Sequence, residues 1–592
     1  MSYTAPVKDI AFAMRHVAGL EAALDAGMYG DLSSDLVDTI LEEAGKFANE
    51  RIAPLNRLGD KAGARLENGK VIMPPGWGEV YREWCEAGWN ALPGPEAHGG
   101  QGLPVLLNSA CVEMWNSACM AYGLGPLLTM GAVEALTAHG SDDLKATYLG
   151  KLIKGEWFGT MNLTEPQAGS DLAALRSKAE PVGDGTYRIF GQKIFITYGE
   201  HDLSDNIIHL VLARLPDAPE GTRGISLFLV PKFMVGTDGT LGARNDVRCA
   251  GVEHKLGIHA SPTCTMVYGD EGGALGYLIG EENRGLNCMF TMMNNARLGV
   301  ALQGVAIAER ATQQALAFAM ERRQGKAVGV KSGPMSRIIE HPDIRRMLLE
   351  MKAKTAAARA IAFRLAAELD KSHRLEGDKA RAASELASLL TPVAKAFATD
   401  IGIEVASLGI QIHGGMGFVE ETGAAQHLRD ARILTIYEGT NGIQSIDLVT
   451  RKLPIGNGAL VRQEIDRHRA TVRRLKESNQ PAFGHMADRL HEAVEALARA
   501  SDWLLATLGT SPNDALAGAT PYLRLFALAA GGAGLGEEAL ASVRGPADHD
   551  SSQRIARARF FAENIAIAAS GLETSIVDGA GTLGDIALVA AE

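Results

Sequence analysis

The sequence predicts a mainly helical α+β protein, built from an N-terminal helical domain, a middle antiparallel β domain, a C-terminal helical bundle and an additional helical domain after it. Three observations predict this order. Apolar residues recur at i, i+3, i+4 and i+7 over the first quarter of the chain; around Trp157 the period changes to alternation; after Glu282 the helical period returns and persists. Helices, then strands, then helices exclude an alternating βαβ fold. At 592 residues the chain is too long for one ordinary core. The changes of period divide it into an N-terminal extension (1–30), a first helical domain (31–156), a β domain (157–282), a helical bundle (283–453) and the added helical domain (454–592).

Taken in order, residues 10–26 form an amphipathic segment expected as an N-terminal helix. From Asp31, Ser33 and Ser34 offer capping oxygens, and Leu36, Val37, Ile40, Leu41, Ala44 and Phe47 mark one helical face. Helices are expected over 76–88 and 103–120, with a turn-rich loop at 93–104 between them, and again over 125–139 and 142–152. Runs at 187–190, 193–197, 207–215, 225–230 and 264–269, separated by Gly, Pro and Asp, predict a compact antiparallel barrel or sandwich. Long Ala-rich helices are expected over 286–322, 341–369, 378–409 and 426–453; residues 454–458 read as a linker, and helices follow over 486–508 and 515–540. Gly532, Gly534 and Gly536 have dinucleotide-like spacing but follow a helical run instead of a strand, so they read as a loose helix or turn and no Rossmann domain is visible.

A net charge of -12 and a pI near 5.7 argue against nucleic acid and anionic membrane as partners, since both are held by positive patches. The six cysteines, Cys85, Cys111, Cys119, Cys249, Cys264 and Cys288, form no CxxC pair and no cluster with His at metal spacing, so reduced thiols and no metal are expected. No signal peptide opens the chain and no apolar run reaches spanning length, so a soluble, cytoplasmic protein without an integral membrane segment is expected.

The stretch 429–453 carries the chemistry. It places one carboxylate, Glu438, between Ile433, Leu434, Ile436 and Tyr437 on one side and Gly439, Thr440 and Asn441 on the other, a pattern that suggests a helix ending in a tight turn. A carboxylate in an apolar pocket has its charged form disfavoured and becomes a stronger base than in water. The plainer reading of the same residues is a surface Glu at a helix end. Further upstream, Thr164-Glu165-Pro166 and Ala168-Gly169-Ser170-Asp171 form a turn whose amides and hydroxyls can donate to anionic or carbonyl oxygens, although an ordinary loop also favours these residues.

Together these segments resemble the acyl-CoA dehydrogenase family over about residues 32–453. Tyr437-Glu438-Gly439-Thr440 resembles the family's catalytic-base segment, which implies Glu438 as base, with Tyr437 and Gly439 beside the substrate and Thr440 beside the flavin. The run 164–171, with Met161 and Leu163 just before it, resembles the flavin-binding signature, implying FAD contacts from Met161, Leu163, Thr164, Gly169 and Ser170, with Ser170 also near the substrate. Residues 191–199 resemble the strand in which an aromatic lies along the flavin ring and a threonine hydrogen-bonds it, here Phe195 and Thr197; many members carry Trp where Phe195 stands. The run 321–324 matches the position where an arginine reaches the flavin pyrophosphate, here Arg322, although Gly325-Lys326 replaces the usual Phe-Gly. Gln411, Gly414 and Gly415 resemble the segment that contacts the adenine half of a flavin bound to the neighbouring subunit; His413 is assigned no catalysis. Asn294 and Arg297 sit where the family has an Arg-bearing helix near acyl-CoA, and a buried salt-bridge role for Arg297 is equally open.

The resemblance implies FAD-dependent α,β-dehydrogenation of an acyl-CoA thioester to the trans-2-enoyl-CoA, with electrons passing to an electron-transfer flavoprotein. Two other readings stay open: an oxidase or flavin-dependent desulfinase of the same superfamily, and a non-catalytic acyl-CoA-binding relative. The extensions at both ends resemble the bacterial branch that includes 3-methylmercaptopropionyl-CoA dehydrogenases, so the acyl group is expected to be 3-methylthiopropionyl or a short to long fatty acyl. The added domain must bury its apolar faces against something. Asp548, Asp550, Glu563, Glu573, Asp578, Asp585 and Glu592 against Arg554, Arg557 and Arg559 disfavour anionic lipid. The expected target is the surface that smaller members use to pair dimers, which predicts a homodimer.

Overall fold

The computed structural model describes residues 3–236, 238–545 and 548–584; Asp585 and Glu592 of the acidic tail lie outside the described residues. Two short helices open the chain, α1 (Val7–His16) and α2 (Leu20–Asp25). The single helix expected over 10–26 is broken by Gly19 at φ +77°, a conformation open to glycine at little cost. Ser33 accepts a hydrogen bond from the Leu36 N–H and starts α3 (Ser34–Phe47), after which come α4 (Ala53–Ala62) and a hairpin, β1 (Arg65–Glu67) and β2 (Lys70–Ile72). This hairpin was not expected. Its two-residue turn, Asn68 and Gly69, has φ +50° and +77°, the backbone a tight hairpin requires.

The first helical domain continues with α5 (Trp77–Glu86), α6 (Val105–Ala118), α7 (Met120–His139), α8 (Asp142–Leu144) and α9 (Gly150–Ile153). Helix α7 starts five residues earlier than expected and carries Pro126 inside it, and it is apolar almost all round because it is buried almost all round.

The β domain comprises β3 (Trp157–Asn162), β4 (Lys178–Pro181), β5 (Thr186–Thr197), β6 (Asn206–Ala213), β7 (Ser226–Pro231), β8 (Phe233–Val235), β9 (Leu241–Arg244), β10 (Val247–Val252), β11 (Thr263–Tyr268) and β12 (Ala274–Ile279). The main sheet runs β10-β11-β5-β12-β7-β6-β3, with β4 on β5. It is antiparallel except that β3 and β6 run parallel. The two strands expected at 187–190 and 193–197 are one, β5, bent at Gly191 (φ +140°), so that its first half pairs with β12 and its second with β11. A Cβ on Gly191 would lie 2.5 Å from Ser177 Oγ, so no larger residue fits that bend.

Three long helices form the bundle: α10 (Gly285–Glu321), α11 (Pro342–Arg374) and α12 (Gly377–His413). Helices α10 and α12 cross backbone to backbone, since a Cβ on Gly304 would lie 2.2 Å from the Ala398 carbonyl oxygen. By length and composition α12 could cross a membrane, but most of its apolar window is buried inside the protein. The short helices α13 (Gly415–Phe418), α14 (Ala424–Ala431) and α15 (Asn441–Asp447) follow. The continuous helix expected over 426–453 does not form, because Glu438 and Gly439 both take positive φ and force the chain to turn.

The remaining helices are α16 (Ala459–Glu477), α17 (Met486–Leu508), α18 (Pro512–Ala517), α19 (Ala519–Ser542), α20 (His549–Asn564), α21 (Ala569–Asp578) and α22 (Ala580–Gly584). The helix expected over 515–540 divides at Gly518. The glycines with dinucleotide-like spacing lie inside α19, where they bring other helices close. A Cβ on Gly531 or Gly534 would meet Ala357 or Ala360 of α11 at 2.9 and 2.7 Å, and one on Gly532 would meet Leu490 of α17 at 2.4 Å. Helix α19 is thus the buried axis of the added region and lies against α11. Ion pairs fasten other faces of the added region, Arg524 of α19 to Glu404 of α12 at 3.0 Å and Arg557 of α20 to both Asp9 of α1 and Glu538 of α19.

Candidate active site

Glu438 occupies a left-handed turn between α14 and α15, at φ +55°, followed by Gly439 at φ +83°. A non-glycine residue in this region costs about 1–3 kcal/mol and persists only where its surroundings impose it. Here they do. Gln444 donates to the Glu438 carbonyl at 3.1 Å, and Lys395 of α12 donates to the Gly439 carbonyl at 2.8 Å and to Asn441 Oδ1 at 2.9 Å. The Thr440 hydroxyl oxygen accepts from the Ile443 N–H and caps α15, which leaves its own O–H free to donate elsewhere. On the other side of the turn the Tyr437 hydroxyl donates to Gln303 of α10, whose amide donates to Asn116 of α6 at 3.3 Å.

The Glu438 side chain is half-buried. Burial pushes its carboxyl up to about 7, against the opposing pull of the nearby Arg297 and Lys395 cations. Arg297 donates to Asn294 Oδ1 at 3.3 Å, and its Nε is buried without a partner among the described residues. A Cβ on Gly439 would lie 3.9 Å from its guanidinium, so Arg297 borders the turn. It makes no buried salt bridge, which removes the alternative left open for it: the acidic groups that face it, Glu438 and Asp447, are not in ion-pair contact among the described residues. Among the same residues nothing accepts from the Glu438 N–H, leaving a backbone donor at the base itself.

A second cluster lies at the end of β5. Phe195 stands at φ +60° with 58% of its surface exposed, an aromatic face turned outward by a strained backbone. Thr197 is two residues on, paired with Thr263 of β11. The Thr164 carbonyl accepts from the Ile194 N–H at 2.9 Å, which sets the 161–171 segment beside this strand end. Underneath, the Glu165 carboxylate accepts from Lys193 at 2.8 Å, from the Ser177 hydroxyl at 2.6 Å and from the Arg176 N–H at 2.7 Å. Burial alone would raise this carboxyl, but these donors outweigh it and hold it at about 2. Met161, Leu163 and Thr164 are partly exposed, and Gly169 and Ser170 are exposed.

Loop 253–262 links the two clusters. The Tyr198 N–H donates to the Pro262 carbonyl at 2.8 Å, while Ile258 N–H donates to Asp430 of α14 at 2.6 Å and Arg429 reaches the Leu256 carbonyl at 3.3 Å. No hydrogen bond among the described residues joins Phe195 or Thr164 directly to Glu438. Arg322, Gln411, Gly414 and Gly415 form a third, exposed group at the far end of the bundle. Arg322 follows α10 and lies about 37 Å beyond Arg297 at the rise of an α-helix. Gly414, at φ 61° and ψ -140°, holds a backbone suited only to glycine. His413 is buried, stacked on Phe318 at 4.4 Å with Nδ1 on the Gly409 carbonyl.

Sequence reasoning missed Lys395, Gln303 and Gln444. Lys395 carried a usable signal, a single cation among Pro392, Val393, Ala394, Ala396 and Phe397 in an otherwise apolar stretch of α12.

Consecutive stretches of the chain match the family models described as acyl-CoA dehydrogenase N-terminal domain (35–156), middle domain (160–270) and C-terminal domain (283–453), and then acetyl-CoA dehydrogenase C-terminal like (461–587). The 3-methylmercaptopropionyl-CoA dehydrogenase of Ruegeria pomeroyi is 49% identical over 582 residues, covering 98% of each chain. The chain belongs to the acyl-CoA dehydrogenase family. Two solved structures share the fold of this acyl-CoA dehydrogenase. Caenorhabditis elegans ACDH-11 in complex with C11-CoA superposes with a TM-score of 0.77 at 22% identity, over 96% of this chain and 92% of that one. Acyl-CoA dehydrogenase from Bacillus anthracis complexed with FAD gives 0.74 at 20% identity, over 92% and 88%. The protein is an FAD-dependent acyl-CoA dehydrogenase. Its residues fit the cofactor: Phe195 offers an uncovered ring face, Thr164, Ser170 and Thr197 offer hydroxyls around it, and the 164–171 turn has room at Gly169, where a Cβ would meet nothing within 4 Å.

Proposed function

We propose that this acyl-CoA dehydrogenase oxidises 3-methylthiopropionyl-CoA or a fatty acyl-CoA, with Glu438 as the base that removes the α-proton. The single observation that supports this most is Glu438 in its left-handed turn, its carboxyl raised to about 7 and faced by Arg297 and Lys395. Arg297 and Asn294 border the turn and suit the coenzyme A side, where a guanidinium can meet phosphate or carbonyl oxygens. The Glu438 N–H is placed to donate to the thioester oxygen, an interaction that strengthens as enolate charge develops. Ser170 and Gly439 complete the substrate contacts; Tyr437 contributes its ring only, because its hydroxyl is taken by Gln303. Bound FAD supplies the acceptor for the β-hydrogen, which leaves as hydride. Anaerobic bleaching of the flavin by a panel of acyl-CoAs, including the methylthio-propionyl ester, tests the substrate; no bleaching by any member would reject the reading.

The raised carboxyl gives a pH dependence with a definite sign. Only the ionised form of Glu438 can accept a proton, so the rate of flavin reduction should fall tenfold per pH unit below about 7 and level off above it. A profile that stays flat from acid to neutral pH would move the base elsewhere.

Apart from Thr440 beside the base, the flavin contacts fall into two groups: Met161, Leu163, Thr164, Gly169, Ser170, Phe195 and Thr197 in the β domain, and Arg322, Gln411, Gly414 and Gly415 at the far end of the bundle. A separation of about 37 Å along α10 is too long for one FAD to span within one protomer and also meet Glu438. We therefore assign the second group to the flavin of a partner subunit in a soluble, cytoplasmic homodimer. The seam between α19 and α11 supports this assembly, since the added region already covers a bundle face. Electron-transfer flavoprotein is the proposed electron acceptor; rapid oxygen uptake in turnover would instead indicate an oxidase. Arg322→Ala should weaken FAD retention about 10–100-fold, the loss of one charge-assisted hydrogen bond, and light scattering should report a dimer. Flavin held through gel filtration as tightly as in the parent would reassign the contact to Arg323, and a stable tetramer or an FAD-bearing monomer would overturn the assembly.

A further inference from the structure

Lys395 has no solvent exposure, yet both of its hydrogen bonds go to uncharged acceptors, the Gly439 carbonyl and Asn441 Oδ1. The Asn441 amide is fixed in this orientation because its Nδ2 donates to Asp400 Oδ1 at 2.8 Å and to the Ala396 carbonyl at 3.2 Å. A buried ammonium without a contacting carboxylate is expensive, and a neutral amide could pin a carbonyl at lower cost. The choice of a cation therefore points to the charges around it. Glu438 faces Lys395 from the turn, Asp400 lies on its own helix, and Arg297 faces both from α10. Asp447 and Arg451 in turn face Arg297, and Tyr437 adjoins Glu438.

We propose that Lys395 is a positioning residue for α-proton abstraction, a role that rests on Glu438 being the base: it locks the left-handed Glu438-Gly439 turn through the Gly439 carbonyl and presents its ammonium charge to the carboxylate. The first half of the role follows from geometry. Gly439 is the residue after the strained one, so anchoring its carbonyl fixes the Gly439–Thr440 peptide and, with Gln444 on the Glu438 carbonyl, holds both peptides that follow Glu438. The second half follows from position. Burial raises the Glu438 carboxyl and lowers the Lys395 ammonium, bringing both to about 7, and each charge favours the other. A charged Lys395 favours the ionised, base-competent form of Glu438 without hydrogen-bonding it. A contact hydrogen bond would have to break when the proton arrives; a charge held on the Gly439 carbonyl does not.

The test uses the full-length, FAD-loaded protein and anaerobic flavin reduction by an acyl-CoA that bleaches the parent, followed across the neutral pH range. Lys395→Gln keeps a donor and removes the charge; it should move the inflection of the rate upward by about one pH unit and lower the rate on the acid side about tenfold. Lys395→Arg should keep the parent's inflection at a reduced plateau rate, because the charge remains while the contact geometry changes. If Lys395→Gln fails to retain FAD, Lys395→Met fills a similar volume without charge and is read in the same way. A neutral variant that loses rate while its inflection stays where the parent's lies would reduce Lys395 to structural support and overturn the proposal. Glu438→Gln separates the two readings: if it still reduces flavin at the parent's rate, both fall; if it does not, and the neutral Lys395 variants keep the parent's inflection, only the role of Lys395 falls.

Discussion

Glu438→Gln is expected to give a folded, yellow, ligand-binding protein whose flavin is no longer reduced by acyl-CoA. The exchange preserves the shape of the side chain and the left-handed turn, since Gln444, Lys395 and Thr440 hold the turn through backbone and neighbouring groups and not through the carboxylate. What it removes is the base. General-base contributions run to about 10²–10⁴-fold, so single-turnover reduction should fall by at least the lower figure. Acyl-CoA binding, read from the perturbation of the flavin spectrum, should change little, because Arg297 and Asn294 are untouched. Substantial residual reduction would sink the assignment.

Arg359→Met should be the most destabilising substitution of a single side chain outside the site. Arg359 is buried in α11, and its guanidinium donates to the buried Glu113 of α6 at 2.6 and 2.9 Å and to Glu309 of α10 at 3.0 Å. Burial pushes the Glu113 carboxyl up, and Arg359 is the charge that opposes this. Removing it strands carboxylates between three helices, and breaking a buried pair in this way costs about 3–5 kcal/mol. The loss should be visible in denaturant unfolding of the FAD-loaded protein. Replacing Glu113 with Gln in the same chain should recover part of it, because the orphaned charge is then gone. A single variant within about 1 kcal/mol of the parent would mean that water or neighbouring groups already satisfy the carboxylates.

The order of helices, strands and helices was legible because periodicity is a local property; Glu438 stood out as a lone carboxylate in an apolar run, but only the family resemblance pointed to it as a base. What stayed hidden depended on contacts between segments far apart in the chain. The 426–453 helix looked continuous because nothing local announces that Glu438 will take a positive φ; the donors that impose it come from Lys395 and Gln444. The parallel pairing of β3 with β6 could not be read from alternation, which is the same in both orientations. The Asn68-Gly69 dipeptide is a hairpin signal in its own right, but the two strands it joins have only three residues each, too few to show alternation.

The close approach of α19 to α11 bears on cooperativity. Gly531 and Gly534 leave no room for a side chain between the two helices, so neither can loosen without exposing the other. Residues 454–584 are therefore not a detachable appendage on a finished enzyme. Amide hydrogens of α11 and α19 should exchange together, at the slow rate of global opening, and a chain cut after the Leu448–Lys452 turn should lose the bundle's protection along with its tail.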